Sequence, residues 1–218
     1  MEIGFHTFPS GKQYVFFKET ESSRPCFLRN ILFLTPPGDP HTVAIVREYG
    51  ARTHRGVWEP PKGQMEWKEF AEAGVRAGSK LTAKQLTQFQ RAGILREMVE
   101  EAKVLPKEIH GLTKLPLLYR QQWIDDYKPR GFTADFCYQF WHATCSLETL
   151  LEAQRRMAVL VDNPDWKQLL PADMTEKDAI QWWNPDRDGW DAIRGAFSKK
   201  MTQLYFRGGQ AHPLTPPR

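Results

Sequence analysis

Hydrophobic residues recur along the chain in short runs rich in aromatic and β-branched side chains, which is the pattern of β-strands. Proline and glycine residues, which interrupt regular structure, separate these runs. The clearest example is Pro60-Pro61-Lys62-Gly63, whose prolines and glycine exclude a helix. The predicted strands cover residues 12–18, 26–35, 42–48, 112–123 and 132–145, with a short strand over 179–183.

A second pattern, with apolar residues at helical spacing, predicts the helices. The longest begins after Thr82, which can form a capping box with Gln85, and continues to about residue 103. Its apolar positions are Leu86, Phe89, Ile94, Met98 and Ala102. Further helices are predicted over residues 147–160 and after Asn184. The apolar stripe of the last helix is Trp190, Ile193, Phe197 and Leu204.

Strands and helices are mixed without a regular βαβ alternation, and the chain contains no internal repeat. This organisation predicts an α/β class of fold, as a mixed or α+β sandwich. We expect residues 1–207 to form a single domain, with insertions near 70–88 and over 146–178. The first insertion has weak periodicity and is expected to be a mobile lid, and residues 208–218 are expected to be a disordered tail.

The composition narrows the class of protein. No run of 18 apolar residues and no signal peptide is visible, so no membrane association is expected. The net charge of +4 suits an anionic substrate but does not demand nucleic acid. Cys26, Cys137 and Cys145 are too few and too scattered for a disulfide framework, which favours a reducing, intracellular and cytoplasmic location.

Three glutamates of the long helix are candidates for chemistry. Glu97, Glu100 and Glu101 stand at i, i+3 and i+4, which places their carboxylates on one helix face. Like charges at this spacing repel each other, whereas Mg²⁺ would be bound by such oxygens. Taken by themselves, these glutamates fit a solvated helix face better than a metal site, with Arg96 paired to Glu100.

A second segment favours the metal-binding interpretation. Gly63 is followed at the sixth position by Glu69, and residues 96–104 read REMVEEAKV. Together they resemble the Nudix box, G-x5-E-x7-R-E-U-x-E-E-x-G-U, in which U is a bulky apolar residue. This chain departs from the pattern twice: 26 residues separate Glu69 from Arg96, where the box has seven, and Lys103 replaces a glycine. The box positions that match are Gly63, Glu69, Arg96, Glu97, Met98, Glu100, Glu101 and Val104.

The resemblance implies a fold and an activity. The fold is an α/β/α sandwich with a mixed β-sheet, and the activity is hydrolysis of a phosphoanhydride bond with Mg²⁺ or Mn²⁺. It further implies that Glu97, Glu100 and Glu101 hold the metal, with the carbonyl of Gly63 as an additional ligand. The resemblance also implies that Arg96 orients a glutamate through a forked hydrogen bond, and Glu69 is the candidate partner.

The identity of the catalytic base stays open between residues inside and outside the box. Glu100 and Glu97 are the candidates within the box. The family also uses acids elsewhere in the chain, for which Glu176, Asp135 and Asp126 are the alternatives; surface or turn positions are the simpler interpretation of these three.

Several basic and aromatic residues could contact the substrate. The candidate substrate-binding residues are Lys62, Arg52, Arg55 and Glu69. Solvated loop positions are the alternative for the two arginines. Trp58, Trp123 and Tyr127 could stack on a base, although packing in the core is the more common role of such side chains.

The box does not choose the substrate. The PPKG run resembles that of enzymes acting on dinucleoside polyphosphates or diphosphoinositol polyphosphates, and then that of mRNA-decapping members acting on capped RNA. A nucleotide sugar is a third alternative. A different class is a catalytically silent Nudix-fold binding module, against which the presence of all three box glutamates argues. The oligomeric state is left open.

Overall fold

The computed structural model describes residues 1–49, 57–122, 134–163, 165–193 and 195–209. The strands in these ranges are β1 (Glu2–Thr7), β2 (Gln13–Lys18), β3 (Cys26–Thr35), β4 (Val43–Glu48), β5 (Trp58–Glu59), β6 (Lys62–Gln64), β7 (Ile109–Gln122), β8 (Asp135–Cys145) and β9 (Lys177–Trp183). The helices are α1 (Trp67–Glu72), α2 (Ala83–Glu97), α3 (Leu147–Asp162), α4 (Trp166–Leu169), α5 (Pro185–Asp188) and α6 (Ala196–Gly209). A π-helical turn covers Met98–Ala102, and 3-10 turns cover Pro106–Glu108 and Ala172–Thr175.

The predicted α/β class is confirmed, and local signals placed several elements well. Strand β3 coincides with its prediction. Helix α2 begins at Ala83, where the predicted capping box forms: the Gln85 amide donates to Thr82 Oγ1 at 3.2 Å, and the Thr82 amide donates to Gln85 Oε1 at 3.0 Å. Helix α6 runs to Gly209, so the predicted tail is wrong for residues 208 and 209, and residues 210–218 lie outside the described residues.

The larger sheet has the strand order β1-β2-β3-β8-β7, with β6 also paired to β3. The β1–β2, β2–β3 and β3–β6 ladders are antiparallel. Between β3 and β8 the residue numbers rise together, because Cys26 contacts Cys137 and Thr35 contacts His142. That is the pattern of parallel neighbours, so the sheet is mixed.

The chain divides into two compact units. The first comprises Met1–Ile31, Lys62–Arg96 and Leu118–Gln139. The second comprises Leu32–Pro61, Glu97–Leu117 and Phe140–Arg218. The assignment of residues 1–207 to a single domain stays a prediction.

Both ends of the segment predicted to be a mobile lid pack in the core of the first unit, whereas residues 71–80 between them are mostly exposed. Phe70, Leu81 and Leu86 are buried in one cluster with Ile3 of β1. The backbone of the segment is bonded to β1 as well: Ile3 donates to Ser79 O at 2.9 Å. The segment is therefore anchored by its buried ends and by its bonds to β1, and the mobility of residues 71–80 as a lid stays a prediction.

The second unit contains the smaller sheet, with the antiparallel order β5-β4-β9. Val46 of β4 is opposite Glu59 of β5 on one side and Ile180 of β9 on the other. Helix α3 is tied to β9 by Gln154, whose Nε2 donates to Ile180 O at 2.8 Å. Strand β4 is buried from Val43 to Val46. Its two neighbours carry charged residues, Glu59 in β5 and Lys177 in β9.

The cysteines depart from the expectation that none would be paired. Cys26 and Cys137, on the neighbouring strands β3 and β8, form a disulfide in the first unit. Cys145 is a free, buried thiol whose pKa burial raises to about 12. Sequence spacing did not reveal the pair, because it depends on β3 and β8 being adjacent.

Across the described ranges, no helix is long and apolar enough to cross a membrane.

Candidate active site

Helices α1 and α2 bring together two residues of the box motif. Arg96 Nε donates to Glu69 Oε1 at 2.5 Å, and the two side chains are 20% and 15% exposed. A Cβ on Gly93, one turn before Arg96, would lie 3.5 Å from Glu69 Oε2, an ordinary van der Waals distance, so the carboxylate lies directly beside this glycine. The 26 residues between Glu69 and Arg96 therefore do not separate the pair.

The second oxygen of Glu69 is a buried polar atom with an unusual environment. Within the described residues, no hydrogen-bond donor reaches Oε2. A buried carboxylate oxygen without a donor is costly. Functional sites are one place where such a cost is retained.

The glutamates of the box lie where α2 changes its helical winding. Helix α2 ends at Glu97, and the chain continues as a π-helical turn through Ala102, not as the unbroken α-helix predicted to residue 103. Turns of this kind are frequent at functional sites. Glu97 and Glu100 are partly exposed, whereas Glu101 is buried at 5% exposure.

Lys103 ends the turn in the left-handed conformation, with φ 56° and ψ 23°. Glycine adopts this conformation at little steric cost, so the lysine keeps the backbone that a glycine would provide here. Its ammonium donates to the carbonyls of Glu100 at 2.5 Å and Met174 at 2.6 Å. Burial lowers the pKa of Lys103 to about 8, against the opposing charges of Glu100, Glu101 and Glu176.

A buried ion cluster holds Glu101 in the second unit. Lys177 Nζ, at the start of β9, is 2.8 Å from Glu59 Oε1 and 3.4 Å from Glu101 Oε1. Ser198 Oγ of α6 donates to Glu59 Oε2 at 2.8 Å. Burial alone would lower the pKa of Lys177, but the carboxylates of Glu101 and Glu59 outweigh it and raise that pKa.

Sequence reasoning missed Lys177, Glu59 and Ser198. Glu59 directly precedes the Pro60-Pro61-Lys62-Gly63 run, and no pattern in the sequence marks it as a site residue. Lys177 follows Glu176, which was considered as a base; Glu176 is exposed. No sequence signal could have found Lys177, because its partners lie 118 and 76 positions earlier in the chain.

The other predicted site residues are distributed as follows. Lys62 and Gly63 are partly exposed residues of β6, opposite Ile31 and Asn30 of β3 in the first unit. Trp58 lies in β5, with the guanidinium of Arg47 5.6 Å from its ring centre.

Asp135, a possible base, is 8% exposed and accepts from Arg120 Nε at 2.8 Å. This ion pair with Arg120 gives Asp135 a structural role. Arg52, Arg55, Trp123, Asp126 and Tyr127 lie outside the described residues.

The fit of these residues to a metal ion is partial. Glu97 and Glu100 have the carboxylate oxygens that Mg²⁺ prefers. Glu101 instead has an ammonium at 3.4 Å. In the part of the chain that the structure describes, no group of three or more His, Cys, Asp or Glu side chains is arranged to hold a metal ion.

No protein-family model and no curated protein matches the chain. Solved structures similar to it include two named for the Nudix fold. The NUDIX domain of NrtR from Shewanella oneidensis, complexed with ADP ribose, has 12% identity and a TM-score of 0.47, with 89% of this chain and 93% of that chain covered. A NUDIX hydrolase from Nitrosomonas europaea has 14% identity and a TM-score of 0.38, with 84% and 89% covered.

An Ap4A hydrolase of C. elegans, in a binary complex, is also similar, with 16% identity, a TM-score of 0.41, and 85% and 95% covered. Similarity of this extent concerns the fold and establishes neither a family nor a substrate for this chain.

Proposed function

We propose that this chain is a Nudix-type hydrolase that cleaves a phosphoanhydride bond with Mg²⁺ or Mn²⁺. The observation that carries the proposal is the ion pair of Arg96 with Glu69. The two residues occupy the arginine and glutamate positions of the box, and the fold keeps them together across a long interruption. The alternative of a solvated acidic helix does not account for this pair, because both side chains are largely buried.

The box assigns the metal to Glu97, Glu100, Glu101 and the carbonyl of Gly63. A bound divalent ion would neutralise charge on the phosphate oxygens as the bond breaks. Glu97 and Glu100 suit this role because both are partly exposed carboxylates on the turn that ends α2. Glu101 suits it less well, because Lys177 already pairs with it.

The remaining roles follow from side-chain chemistry. Glu100 or Glu97 takes the proton from the attacking water as general base. Arg96 holds Glu69 and thereby the start of α1 against α2 within the first unit. The substrate phosphates are proposed to bind to Lys62, Arg52 and Arg55, because positively charged side chains attract phosphate oxygens.

The proposed substrate contains a phosphoanhydride bond. The first candidate is a dinucleoside polyphosphate or diphosphoinositol polyphosphate, the second is capped RNA and the third is a nucleotide sugar. This order rests on the PPKG run that ends in Gly63. The cytoplasm is proposed as the location.

The test measures phosphate-product release from a panel of these substrates with Mg²⁺ or Mn²⁺. Glu100→Gln should lower kcat/KM by about a hundredfold or more, as loss of a general base does. The matched control is Glu72→Gln, which changes an exposed glutamate of α1. Equal activity of the Glu100 variant and the control would refute the assignment of the base.

A catalytically silent binding module is the second candidate, and one observation favours it: the ammonium of Lys177 neutralises a box glutamate. In that case the chain would bind a panel compound in calorimetry without releasing product under either metal. The binding-module candidate is excluded if the wild type hydrolyses any compound of the panel and the Glu100→Gln variant does not.

A further inference from the structure

The box glutamate Glu101 lies in a buried cluster that already contains a cation. Side chains of Lys177, Glu59 and Glu101 are 5%, 9% and 6% exposed. All of them, and Ser198, belong to the second unit. Two carboxylates share one ammonium, and the hydroxyl of Ser198 satisfies the far oxygen of Glu59.

We propose that the ammonium of Lys177 occupies the cation position at Glu101 that the box motif assigns to a metal. Glu101 is then a positioning residue that anchors the π-helical turn, and the metal of the proposed function is assigned to Glu97 and Glu100 of the same turn. This inference rests on the proposed function only for the metal at Glu97 and Glu100.

The physical reason is competition between cations. A metal bound at Glu101 Oε1 would approach an ammonium that is 3.4 Å from the same oxygen, and like charges at such separations repel strongly where water is scarce. Lys177 cannot swing away without also withdrawing its ammonium from the buried carboxylate of Glu59, and removing one partner of a buried ion pair is strongly destabilising. The cluster therefore favours the resident ammonium over an added ion.

The fold explains why this ammonium is present at all. Glu59 in β5 and Lys177 in β9 flank β4 in the smaller sheet. Lys177 thus connects the sheet to the turn that carries Glu100 and Glu101, and Lys103 connects the same turn to Met174. The carboxylates of Glu97 and Glu100 are presented from a turn held at both of these points.

The experiment removes the resident ammonium and asks whether a metal replaces it. In Lys177→Met, of similar length but neutral, two buried carboxylates are left without their cation. We expect a lower melting temperature in EDTA, a larger rise with Mn²⁺ than in the wild type, and one additional bound Mn²⁺ by electron paramagnetic resonance. At a Mn²⁺ concentration about a hundredfold above the dissociation constant, the stabilisation by the bound ion is large enough to measure as a rise in the melting temperature.

Two controls separate this role from a merely structural one. Lys199→Met removes a more exposed ammonium from the same helix as Ser198 and should change neither the Mn²⁺ count nor its effect on melting. Lys177→Met with Glu101→Gln should lose the additional Mn²⁺. If Lys177→Met is destabilised and Mn²⁺ neither binds additionally nor restores its stability, the proposal is overturned.

A second variant serves if Lys177→Met does not fold. Glu101→Gln should weaken Mn²⁺ binding less than Glu100→Gln does, and Glu100→Gln should lose more than about tenfold, since even outer partners of a metal cost about that much. A larger loss in Glu101→Gln than in Glu100→Gln would make Glu101 a ligand and refute the inference. An additional Mn²⁺ in Lys177→Met without any hydrolysis by the wild type would uphold this inference while the proposed function fails.

Discussion

Replacement of Phe70 by alanine should lower the free energy of unfolding by about 3–5 kcal/mol, the usual cost of removing a buried aromatic side chain. Phe70 is fully buried in the first unit, and its ring stacks on that of Phe89 with the centroids 4.1 Å apart. The ring also lies 6.2 Å from that of Trp67 and parallel to it within 5°. Phe70 therefore contributes to a packed cluster, not to a cover over the site.

The magnitude can be measured by urea denaturation of the full chain, followed by tryptophan fluorescence. For a protein of this size, 3–5 kcal/mol corresponds to a fall of about 6–20 °C in the melting temperature. The matched control is Glu72→Ala, two positions away in the same helix and exposed; it should stay within about 0.5 kcal/mol of the wild type.

The alternative for this segment is a lid, which makes the opposite prediction. Loss of a lid contact would raise KM and leave the unfolding transition unchanged. A loss of less than about 1 kcal/mol in Phe70→Ala, well below the usual cost of a core truncation, would refute the assignment of Phe70 to the core.

Two further ion pairs give predictions. A double-mutant cycle with Arg96→Met and Glu69→Gln should give a coupling free energy of about 1–3 kcal/mol in urea denaturation, because the hydrogen bond joins two charged and largely buried side chains; additive effects would contradict the pairing. Arg156 donates two hydrogen bonds to Glu108, of 2.8 and 2.6 Å, and they hold the pKa of Glu108 below its ordinary value of 4.5. Since the folded pKa is the lower one, Glu108 stabilises the fold above pH 4.5, and this contribution is lost as the pH falls through the folded pKa. Glu108→Gln should therefore cost about 1–3 kcal/mol at pH 7 and progressively less in acid, and a deficit independent of pH would contradict this account.

The sequence by itself determined the elements whose signals are local. The capping box of Thr82 and Gln85 placed the start of α2, and the apolar run of β3 placed that strand. The box motif also predicted the pairing of Glu69 with Arg96, although many residues lie between them. The capping box is visible in the sequence because it depends on residue types at a fixed spacing, and each half of the box motif keeps its own spacing although the interval between Glu69 and Arg96 is longer.

Only the tertiary structure shows that the box glutamate Glu101 lies beside the ammonium of a lysine, Lys177. Glu101 reads like Glu97 and Glu100 in the sequence, but the strand order β5-β4-β9 brings Glu59 and Lys177 to it. The same holds for Phe70, whose place in the core depends on β1 lying beside the segment that follows it. Local periodicity carries no information on strand order, so contacts that depend on it had to come from the fold.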